Sequence, residues 1–415
     1  MIEKEVDVAV IGGGPAGLSA AISAKNNGGK KILVLDRNSW LGGILPQCIH
    51  DGFGVEETGS SMTGPEYAEM YIDMAEKEDI NFMRETMVLQ FNKNLEIVAV
   101  NKNGLHKIKA KSIILAMGCR EKTRWNIMIP GGRPSGIFTA GVAQAFINLY
   151  NIIPGKNVLV LGSGDVGLIM ARRLKFEGAN VLGVVEILPY ASGLPRNVVQ
   201  CLDDYDIPLY LNHTVTYIEG RERLKSVTIA QVDKNFEIIS DTKKKLECDT
   251  LLLSLGLIPE NELSKNVNIK IDDTTGGPIV DQNYETSLDG VFACGNCLQV
   301  YDTVDVLSIG AKHAGKCAAE SINRKKIKKS VIKVKSGQGL HYVVPQKISE
   351  KGKVKFTMRV KKPKESVVIK INAGDKEVYS KKLRYVNPAN MIEINVDISD
   401  GLVKLKENLE VTVDG

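Results

Sequence analysis

Two glycine-rich turns contain the residues whose types and spacing point most directly to chemistry. Residues 12–17 read Gly-Gly-Gly-Pro-Ala-Gly and residues 162–167 read Gly-Ser-Gly-Asp-Val-Gly, so both turns match the pattern G-x-G-x-x-G. An acidic residue follows the middle glycine of each turn after 22 positions, Asp36 in the first case and Glu186 in the second. This combination predicts two sites, each of which binds the pyrophosphate and a ribose of a dinucleotide.

Each glycine of the first turn has a separate physical task. Gly12 permits the tight turn out of a strand, Gly14 has no Cβ to obstruct the pyrophosphate, and Gly17 lets the following helix pack closely on that strand. The N–H groups and the positive dipole end of the new helix would then face the phosphates. At the second turn, the carboxylate of Glu186 would accept a hydrogen bond from a free ribose 2′-hydroxyl and repel a 2′-phosphate. The second site is therefore predicted to favour NAD over NADP.

A glycine-rich loop after Asp36, residues 40–54, carries two further candidates for chemistry, Cys48 and His50. The Cys48 thiol could act as a redox centre if its pKa were lowered, and it could equally be a small packing residue. His50 could donate a proton or simply hold the loop through a hydrogen bond. Both residues are kept as candidate catalytic residues.

Cys294 and Cys297 form a C-x-x-C motif. Such a motif can serve as a redox dithiol or as half of a metal site, but the sequence has no second pair at metal-site spacing. Structural thiols are therefore expected, a working disulfide is the alternative, and no metal site is predicted. The seven cysteines of the chain are odd in number and scattered, which favours reduced thiols.

The elements that must position these residues follow a strand, turn and helix order that occurs twice. An apolar run leads into each glycine turn, helical sequence leaves it, and a short strand then ends at the acid. Alternating runs predict a β-meander in each half, over about 81–109 and 214–240, and the apolar segments 112–118 and 248–260 close the two halves in the same way. The predicted fold class is therefore α/β with two Rossmann-like dinucleotide-binding domains.

The C-terminal stretch has a different character. A basic run, Arg324–Lys329, is interpreted as a solvated linker or helix end. Period-two strands follow at 354–360, 366–371, 391–398 and 409–413. They predict a small all-β, sandwich-like domain of about 80 residues. Because no catalytic residues are evident there, partner docking or shielding is the expected role, with simple packing as the alternative.

Composition limits the class of protein. A chain of 415 residues with 43% hydrophobic residues is long enough for two or three domains, and a net charge of +5 gives no nucleic-acid footprint. No apolar stretch approaches 18 residues, and no basic segment precedes an apolar one at the N-terminus. A cytoplasmic protein without a membrane span is the expectation.

The two glycine turns, together with the segment Cys294-Gly295-Asn296, resemble the FAD- and NAD(P)-dependent pyridine nucleotide oxidoreductases with two dinucleotide-binding domains. The resemblance covers about residues 5–325. It implies a glutathione-reductase-like fold, with the ADP half of FAD at the first turn and NAD at the second. Two features depart from the family: its usual Gly-Asp is Gly-Asn here, and the cysteine motifs of its disulfide reductases are missing.

The same resemblance implies the domain boundaries. The FAD-binding domain would consist of residues 1–125 and 265–328, interrupted by an NAD-binding domain at 126–264. The β-rich C-terminal domain would occupy residues 329–415. This discontinuous arrangement would explain why the Gly-Asn motif lies so far downstream of the first turn.

A set of cofactor contacts follows from the resemblance. For FAD they are Gly12, Gly14, Pro15, Ala16, Gly17, Asp36, Arg37, Gly42, Gly43, Gln47, Val88, Ala116, Gly118, Gly295 and Asn296; for NAD they are Gly162, Gly164, Asp165, Val166, Gly167, Glu186 and Gly256. Gly42 and Gly43 would allow close backbone contact beneath the nucleotide, which would bring Cys48 and His50 near the flavin. Asn296 would hydrogen-bond the sugar-like chain of the flavin, and the N-terminus of the next helix would stabilise negative charge on its reduced ring.

Three segments narrow the resemblance further. Residues 42–54, 130–141 and 343–347 look like the FAD/NAD subunits of multi-subunit dehydrogenases, such as anaerobic glycerol-3-phosphate dehydrogenase complexes. More distant kin are the α-subunits of sarcosine oxidase, opine dehydrogenase and hydrogen cyanide synthase. In such complexes a second flavoprotein subunit oxidises the substrate, so a hetero-oligomer is expected. Any iron–sulfur cluster would come from a small partner subunit, because this chain has a β-rich tail in place of a cluster-binding one.

In the leading hypothesis, hydride moves between nicotinamide C4 and flavin N5, and the protein supplies position and electrostatics without an indispensable side chain. Two other functions remain open from the sequence. One is a stand-alone flavin-dependent thiol/disulfide or peroxide reductase that uses Cys48. The other is a docking subunit in which the nucleotides mainly stabilise the fold.

Overall fold

The computed structural model describes residues 2–324, 331–398 and 407–415. It divides into two compact units: a larger one formed by residues up to 119 and from 259 onward, and a smaller one formed by residues 120–258. Apart from Arg324, the basic run interpreted as a linker lies outside the described residues.

The first part of the larger unit contains β1 (Ile2–Ile11), α1 (Pro15–Asn26), β2 (Ile32–Leu35), α2 (Val55–Thr58), α3 (Gly64–Lys77), β3 (Asn81–Met83), β4 (Met87–Phe91), β5 (Glu96–Asn101), β6 (Gly104–Leu115) and β7 (Cys119–Glu121). Helices separate the strands as far as β3, and consecutive strands follow. The end of β1, Val8–Ile11, is buried on both faces, as expected for a strand inside a parallel sheet. A capping box between Thr63 and Glu66 begins α3.

The smaller unit contains the next elements. They are α4 (Arg124–Ile127), β8 (Ile137–Thr139), α5 (Ala140–Asn148), β9 (Asn157–Leu161), α6 (Asp165–Phe176), β10 (Asn180–Val185), α7 (Pro195–Cys201), β11 (Leu209–Tyr210), β12 (His213–Gly220), β13 (Leu224–Gln231), β14 (Lys244–Glu247), β15 (Thr250–Leu253) and β16 (Leu257–Pro259).

The remainder of the larger unit returns to the first sheet and then becomes all-β. Its elements are α8 (Glu262–Asn266), β17 (Val291–Ala293), α9 (Val304–Ser321), β18 (Ile332–Ser336), β19 (Leu340–Val344), β20 (Lys347–Ile348), β21 (Gly352–Val360), β22 (Lys364–Ala373), β23 (Lys376–Val386), β24 (Ile392–Ile398) and β25 (Leu409–Asp414).

Both units contain a parallel sheet with the same layout. In the larger unit the neighbours are β3-β2-β1-β6, and β17 pairs with the far side of β6; in the smaller unit the order is β11-β10-β9-β15-β8. An antiparallel meander accompanies each sheet, β4-β5 on β6 in the first and β12-β13-β14 in the second. This repeated layout confirms the predicted fold class.

The long strand β6 corrects one detail of the sequence analysis, which separated a meander ending near 109 from a strand starting at 112. The two segments form one continuous strand, because β6 runs along β1 from His106 to Leu115. Its first half also pairs with β5 and its last residues also pair with β17.

The C-terminal part is sandwich-like. Its strands form the sheets β20-β18-β25-β22-β23 and β19-β21-β24, whose inner faces share one apolar core that includes Phe356, Met358 and Ile369. The sequence analysis missed four strands, β18, β19, β20 and β23. The last of them is an edge strand whose side chains are mostly exposed, three of them lysines. Within the described parts of the chain, no helix is long and apolar enough to cross a membrane.

Candidate functional site

The first glycine turn joins β1 to α1 with no room for side chains. Gly12 has a φ of +111°, and a Cβ on it would lie 2.3 Å from the carbonyl oxygen of Ala116. A Cβ on Gly17 would lie 1.8 Å from the carbonyl oxygen of Gly12. Glycine is therefore required at both positions, for the turn itself and for the packing of α1 on β1.

The start of α1 presents a site for an anion. Gly14 is its N-cap and makes no side-chain capping bond, Pro15 has no N–H, and the first turn contains no acidic residue. The nearest atom to a Cβ built on Gly14 is the Cα of Gly43, at 3.7 Å. The helix dipole and the uncapped N–H groups fit a phosphate group at this position.

Asp36 lies at the end of β2 and is buried beside the same turn. Its Oδ2 accepts a hydrogen bond from the N–H of Gly13 at 2.7 Å, and its Oδ1 accepts one from the N–H of Asn38 at 2.8 Å. Each carboxylate oxygen thus has one protein donor. The remaining acceptor capacity of the carboxylate suits ribose hydroxyl groups.

Two more segments meet the first turn. The N–H of Gly42 donates to the carbonyl of Gly13 at 2.8 Å, and a Cβ on Gly43 would lie 3.0 Å from the Cα of Gly14. From the end of β17, Gly295 packs so closely on α1 that a Cβ would lie 2.6 Å from the Cβ of Ala16. The structure therefore brings the predicted FAD contacts 12–17, 42–43 and 295 together.

The other predicted FAD contacts lie in several environments. Ala116 is buried against Gly12, and Gly118 has a φ of +70° with open space where a Cβ would be. Asn296 uses its Oδ1 to accept the N–H of Tyr301 at 3.0 Å. Arg37 is exposed, Gln47 is half-buried, and Val88 is buried in the apolar core on β4. Thr86, two residues before Val88, donates its N–H to the carbonyl of Asp36.

The surroundings of Cys48 suit a packing thiol. Its Sγ donates to the carbonyl of Ile44 at 3.5 Å, and its own carbonyl accepts the N–H of Gly64 at 2.9 Å. Burial raises the pKa of the Cys48 thiol to about 12. A thiol with such a pKa is protonated at neutral pH and is a poor nucleophile. His50 contacts its own loop, with Nδ1 3.0 Å from the carbonyl oxygen of Asp51.

Cys294 and Cys297 are fully buried at the end of β17. Cys297 Sγ donates to the carbonyls of Leu115 at 3.1 Å and of Cys294 at 3.2 Å. Burial raises the pKa of Cys297 to about 12 and that of Cys294 well above its usual value. All seven cysteines are free thiols. The contacts of Cys294 and Cys297 are those of structural thiols. In the described parts of the chain, no group of His, Cys, Asp or Glu side chains is arranged to hold a metal ion.

The second glycine turn, between β9 and α6, repeats the geometry of the first. Gly162 has a φ of +97°, and a Cβ on it would lie 2.1 Å from the carbonyl oxygen of Ser254. A Cβ on Gly167 would lie 2.6 Å from the Cβ of Ser254. Gly256 has a φ of +91° with open space beside it, like Gly118 in the first site.

Glu186 is buried at the end of β10 and is held by more donors than Asp36. Its Oε2 accepts from the N–H of Ser163 at 3.0 Å, from the hydroxyl of Ser163 at 2.5 Å and from that of Ser192 at 3.0 Å. Its Oε1 accepts from the N–H of Leu188 at 3.0 Å. The carboxylate is therefore fixed in place, and Oε1 retains acceptor capacity for a ribose.

Asp165 and Val166 occupy the first turn of α6. Asp165 Oδ1 accepts from the N–H of Leu194 at 2.8 Å and from Nδ2 of Asn197 at 2.7 Å. Asp165 therefore ties the loop before α7 to the start of α6. Val166 is exposed, and a Cβ on Gly164 would find Ser254 Oγ at 3.2 Å.

Three serines that sequence reasoning did not single out shape this second site: Ser163, Ser192 and Ser254. The hydroxyl of Ser254 accepts the N–H of Gly167 at 3.2 Å. The internal repeat offered a signal for Ser254, because it follows β15 as Ala116 follows β6. Ser163 stands within the fingerprint itself, where Gly13 stands in the first. Nothing in the local sequence marks Ser192.

Arg359, on β21 of the C-terminal domain, was also not foreseen. Its guanidinium donates to the carboxylate of Asp302, to the carbonyl of Val300 at 3.0 Å and to the hydroxyl of Tyr342 at 3.0 Å. The carbonyls of residues 388 and 389 accept its other N–H groups. This residue ties the C-terminal domain to the segment that connects the Gly295 turn with α9.

Known families and proteins share much of this chain. A family model described as pyridine nucleotide-disulphide oxidoreductase matches residues 6–307, well over half of the chain. The chain is 27% identical over 313 residues to an NADH dehydrogenase of Bacillus subtilis, and 26% identical over 316 residues to a component of the alkyl hydroperoxide reductase of Staphylococcus aureus. Each match covers 74% of this chain and 57% of the relative, so the chain spans only about half the length of these curated relatives.

Two solved structures illustrate the shared fold. Thioredoxin reductase of T. acidophilum has a TM-score of 0.61 at 23% identity, covering 77% of this chain and 98% of that chain. L-Proline dehydrogenase of P. horikoshii has a TM-score of 0.53 at 21% identity, covering 76% of this chain and 55% of that chain. The matched family uses FAD and a pyridine nucleotide. Both glycine turns, 12–17 and 162–167, fit the phosphates of such dinucleotides.

Proposed function

The chain belongs to the pyridine nucleotide-disulphide oxidoreductase family, and we propose that it is an FAD-dependent NAD(H) oxidoreductase that exchanges electrons with a partner dehydrogenase subunit. The partner in this proposal is a substrate-oxidising flavoprotein of the glycerol-3-phosphate dehydrogenase type. Two observations together carry the proposal. The chain has two glycine turns that fit dinucleotides, and burial raises the pKa of the Cys48 and Cys297 thiols, which opposes redox chemistry.

The first glycine turn is assigned to FAD. The uncapped start of α1 would stabilise its pyrophosphate, and Asp36 would accept from its ribose hydroxyls. The open space at Gly118 and the short distance between Gly295 and Ala16 let backbone approach the cofactor closely. Bound FAD supplies the acceptor for a hydride from NADH.

The second glycine turn is assigned to NAD in preference to NADP. The carboxylate of Glu186 is fixed by Ser163 and Ser192, so it cannot turn away from a ligand without breaking several hydrogen bonds. A fixed negative charge at the ribose would repel a 2′-phosphate. This arrangement supports NADH as the physiological nucleotide.

The state of the thiols supports a protein electron acceptor. A dithiol mechanism needs a thiolate that attacks a disulfide, but the pKa values of Cys48 and Cys297 are both raised to about 12. Cys48 also lacks a neighbouring cysteine in sequence. The names of two similar proteins, NADH dehydrogenase and L-proline dehydrogenase, are compatible with electron transfer to or from another redox centre.

Steady-state assays of the purified, FAD-loaded chain test the proposal. NADH oxidation with an artificial dye should exceed NADPH oxidation, and Cys48→Ser and the double variant Cys294→Ser/Cys297→Ser should keep their NADH-to-dye activity. Co-purification from the native host, with absorbance spectra and identification of bound subunits, should yield a flavoprotein partner. A chain that does not bind FAD would refute the proposal, and so would a chain that is isolated alone and reduces a disulfide substrate through Cys48.

A further inference from the structure

The C-terminal domain and the segment 270–279 of the FAD-binding part enclose a cleft of about 540 Å³ that no part of the proposed function uses. Lysines converge on this cleft from both walls. Lys270 comes from one wall, and Lys333, Lys335 and Lys347 come from β18 and β20 on the other.

The register of the sheet forces two of these lysines against each other. In the antiparallel pair β18–β20, Lys333 lies directly opposite Lys347 and Ile332 lies opposite Ile348. The two isoleucines are fully buried, so both lysines stand on the other face of the sheet. Lys335, two residues along β18, shares that face. Like charges directly opposite each other in adjacent strands destabilise a sheet.

Carboxylates compensate only part of this charge. In the described parts of the chain, the ammonium groups of these four lysines form no ion pair and no hydrogen bond, although the backbone N–H groups of Lys270 and Lys333 donate to Ser287 and Asn408. The one carboxylate that lines the cleft, Asp272, uses Oδ1 to accept the N–H groups of Thr274 at 3.1 Å and Thr275 at 2.8 Å. Burial and the neighbouring Lys270 lower the pKa of Lys347, Lys333 lowers it further, and Asp281 opposes these effects.

A second observation points to a missing acceptor. Gln346 also lines the cleft, and its Nε2 is buried without a hydrogen-bond partner, while its Oε1 accepts the N–H of Val280 at 3.1 Å. Buried donors in native proteins nearly always have a partner. An acceptor-rich anion in the cleft would satisfy this amide once the Gln346 side chain turns toward it, and would satisfy the lysines as well.

We propose that this cleft binds a small anion that carries at least two phosphate groups. Its volume lies within the range of small-molecule sites, and several cations on two walls match a ligand with several negative charges better than a single monovalent ion. The binding energy would offset the repulsion between Lys333 and Lys347, so the ligand would join the two walls of the cleft. This site is separate from the glycine turns 12–17 and 162–167.

Calorimetric titration of the FAD-loaded chain with pyrophosphate tests the proposal. The buffer is free of magnesium and contains saturating NAD+, so that the second glycine turn is occupied. Lys333→Met and Lys347→Met should each weaken the affinity for pyrophosphate about fivefold, and the double variant should lose measurable binding. The matched control is Lys381→Met on β23, an exposed lysine whose cross-strand partner is Ile369, and it should bind like the unmodified chain.

Thermal unfolding without pyrophosphate gives a second readout. Lys347→Met should raise the melting temperature because it removes a like-charge pair, whereas Lys381→Met should leave it unchanged. The proposal is wrong if the unmodified chain does not bind pyrophosphate, if all variants bind it equally, or if Lys347→Met lowers the melting temperature. Binding of polyglutamate in place of pyrophosphate would also overturn it, in favour of an acidic protein partner.

Discussion

The two glycine turns share a backbone plan and differ in what holds them. At each turn the first glycine abuts the carbonyl of a neighbouring strand end, Ala116 in one case and Ser254 in the other. In the first site the following loop reaches the turn through the backbone of Gly42. In the second site the corresponding loop is held by side chains, through Ser163 and Asp165.

This difference teaches how one fold serves two purposes. Backbone-to-backbone contact brings Gly42 and Gly43 directly against the first turn, which suits a permanently held cofactor that must be enclosed. Hydroxyl and carboxylate contacts at the second turn fix the carboxylate of Glu186 and leave α6 more open, as the exposure of Val166 shows. Such a site suits a nucleotide that binds and leaves in every turnover. Substitutions at each site test this contrast.

The largest effect is expected from Arg359→Met, because the first site is supported by a domain that has no counterpart in the 120–258 unit. The substitution would leave the part-buried carboxylate of Asp302 without its guanidinium partner, which should lower stability by roughly 3 kcal/mol. We expect lower stability and faster loss of FAD, measured by denaturant unfolding and by flavin fluorescence, with unchanged affinity of the remaining holoprotein for NADH.

The matched control is Lys355→Met on the same strand, whose ion pair with Glu393 is about one-third exposed. The free energy of unfolding of this variant should fall by less than about 1 kcal/mol. Equal effects of the two substitutions would show that the contacts of Arg359 do not support the flavin site.

The next largest effect separates the two turns themselves. Gly17→Ala places a Cβ 1.8 Å from a backbone oxygen, and Gly167→Ala places one 2.6 Å from Ser254 Cβ. Because each change overpacks its site, each should lower the free energy of unfolding by about 1–3 kcal/mol. Gly17→Ala should release FAD, whereas Gly167→Ala should keep the flavin spectrum and raise the KM for NADH. The assignment of the cofactors is reversed if Gly167→Ala is the variant that loses flavin.

A control for these substitutions is Gly59→Asn. Gly59 has a φ of +76° and open space beside it, and asparagine tolerates that backbone conformation better than most residues. It should change stability by no more than about 0.5 kcal/mol.

A smaller effect is expected from Glu186→Gln, which removes the charge and leaves the side chain nearly the same size. The KM for NADH should rise about tenfold, equivalent to about 1.4 kcal/mol, and the preference for NADH over NADPH should shrink. Glu177→Gln at the end of α6 is the control, since its ion pair with Arg173 lies on the surface of the helix. An unchanged ratio of NADPH to NADH oxidation would mean that Glu186 does not select the nucleotide.

The two sites also differ in how far they could be predicted from the sequence. The glycine turns, their acids and the repeated sheet were predictable because strand, turn and helix signals are local. The contact of Glu186 with Ser163, 23 positions away, and that of Arg359 with Asp302, 57 positions away, were not predictable, because they join different elements that meet only after the sheets have formed. An arginine in an alternating strand looks like a solvent-facing residue until its partners on another element are known.

The smallest effect is expected at Cys48, in the loop that follows Asp36 in the first site. The corresponding loop of the second site contains Ser192. If Cys48 had a redox role, the two loops would differ in catalytic function; if Cys48 only packs, they differ only in structure. Because burial raises the pKa of this thiol to about 12, it stays almost entirely protonated between pH 6 and 9, and its thiolate should contribute little to activity there. Cys48→Ser should therefore leave NADH-to-dye turnover within about twofold across this range, with no change in the shape of the pH profile. A thiol that took part in catalysis with an ordinary pKa would instead give activity that rises toward pH 9 in the unmodified chain and loses that rise in Cys48→Ser.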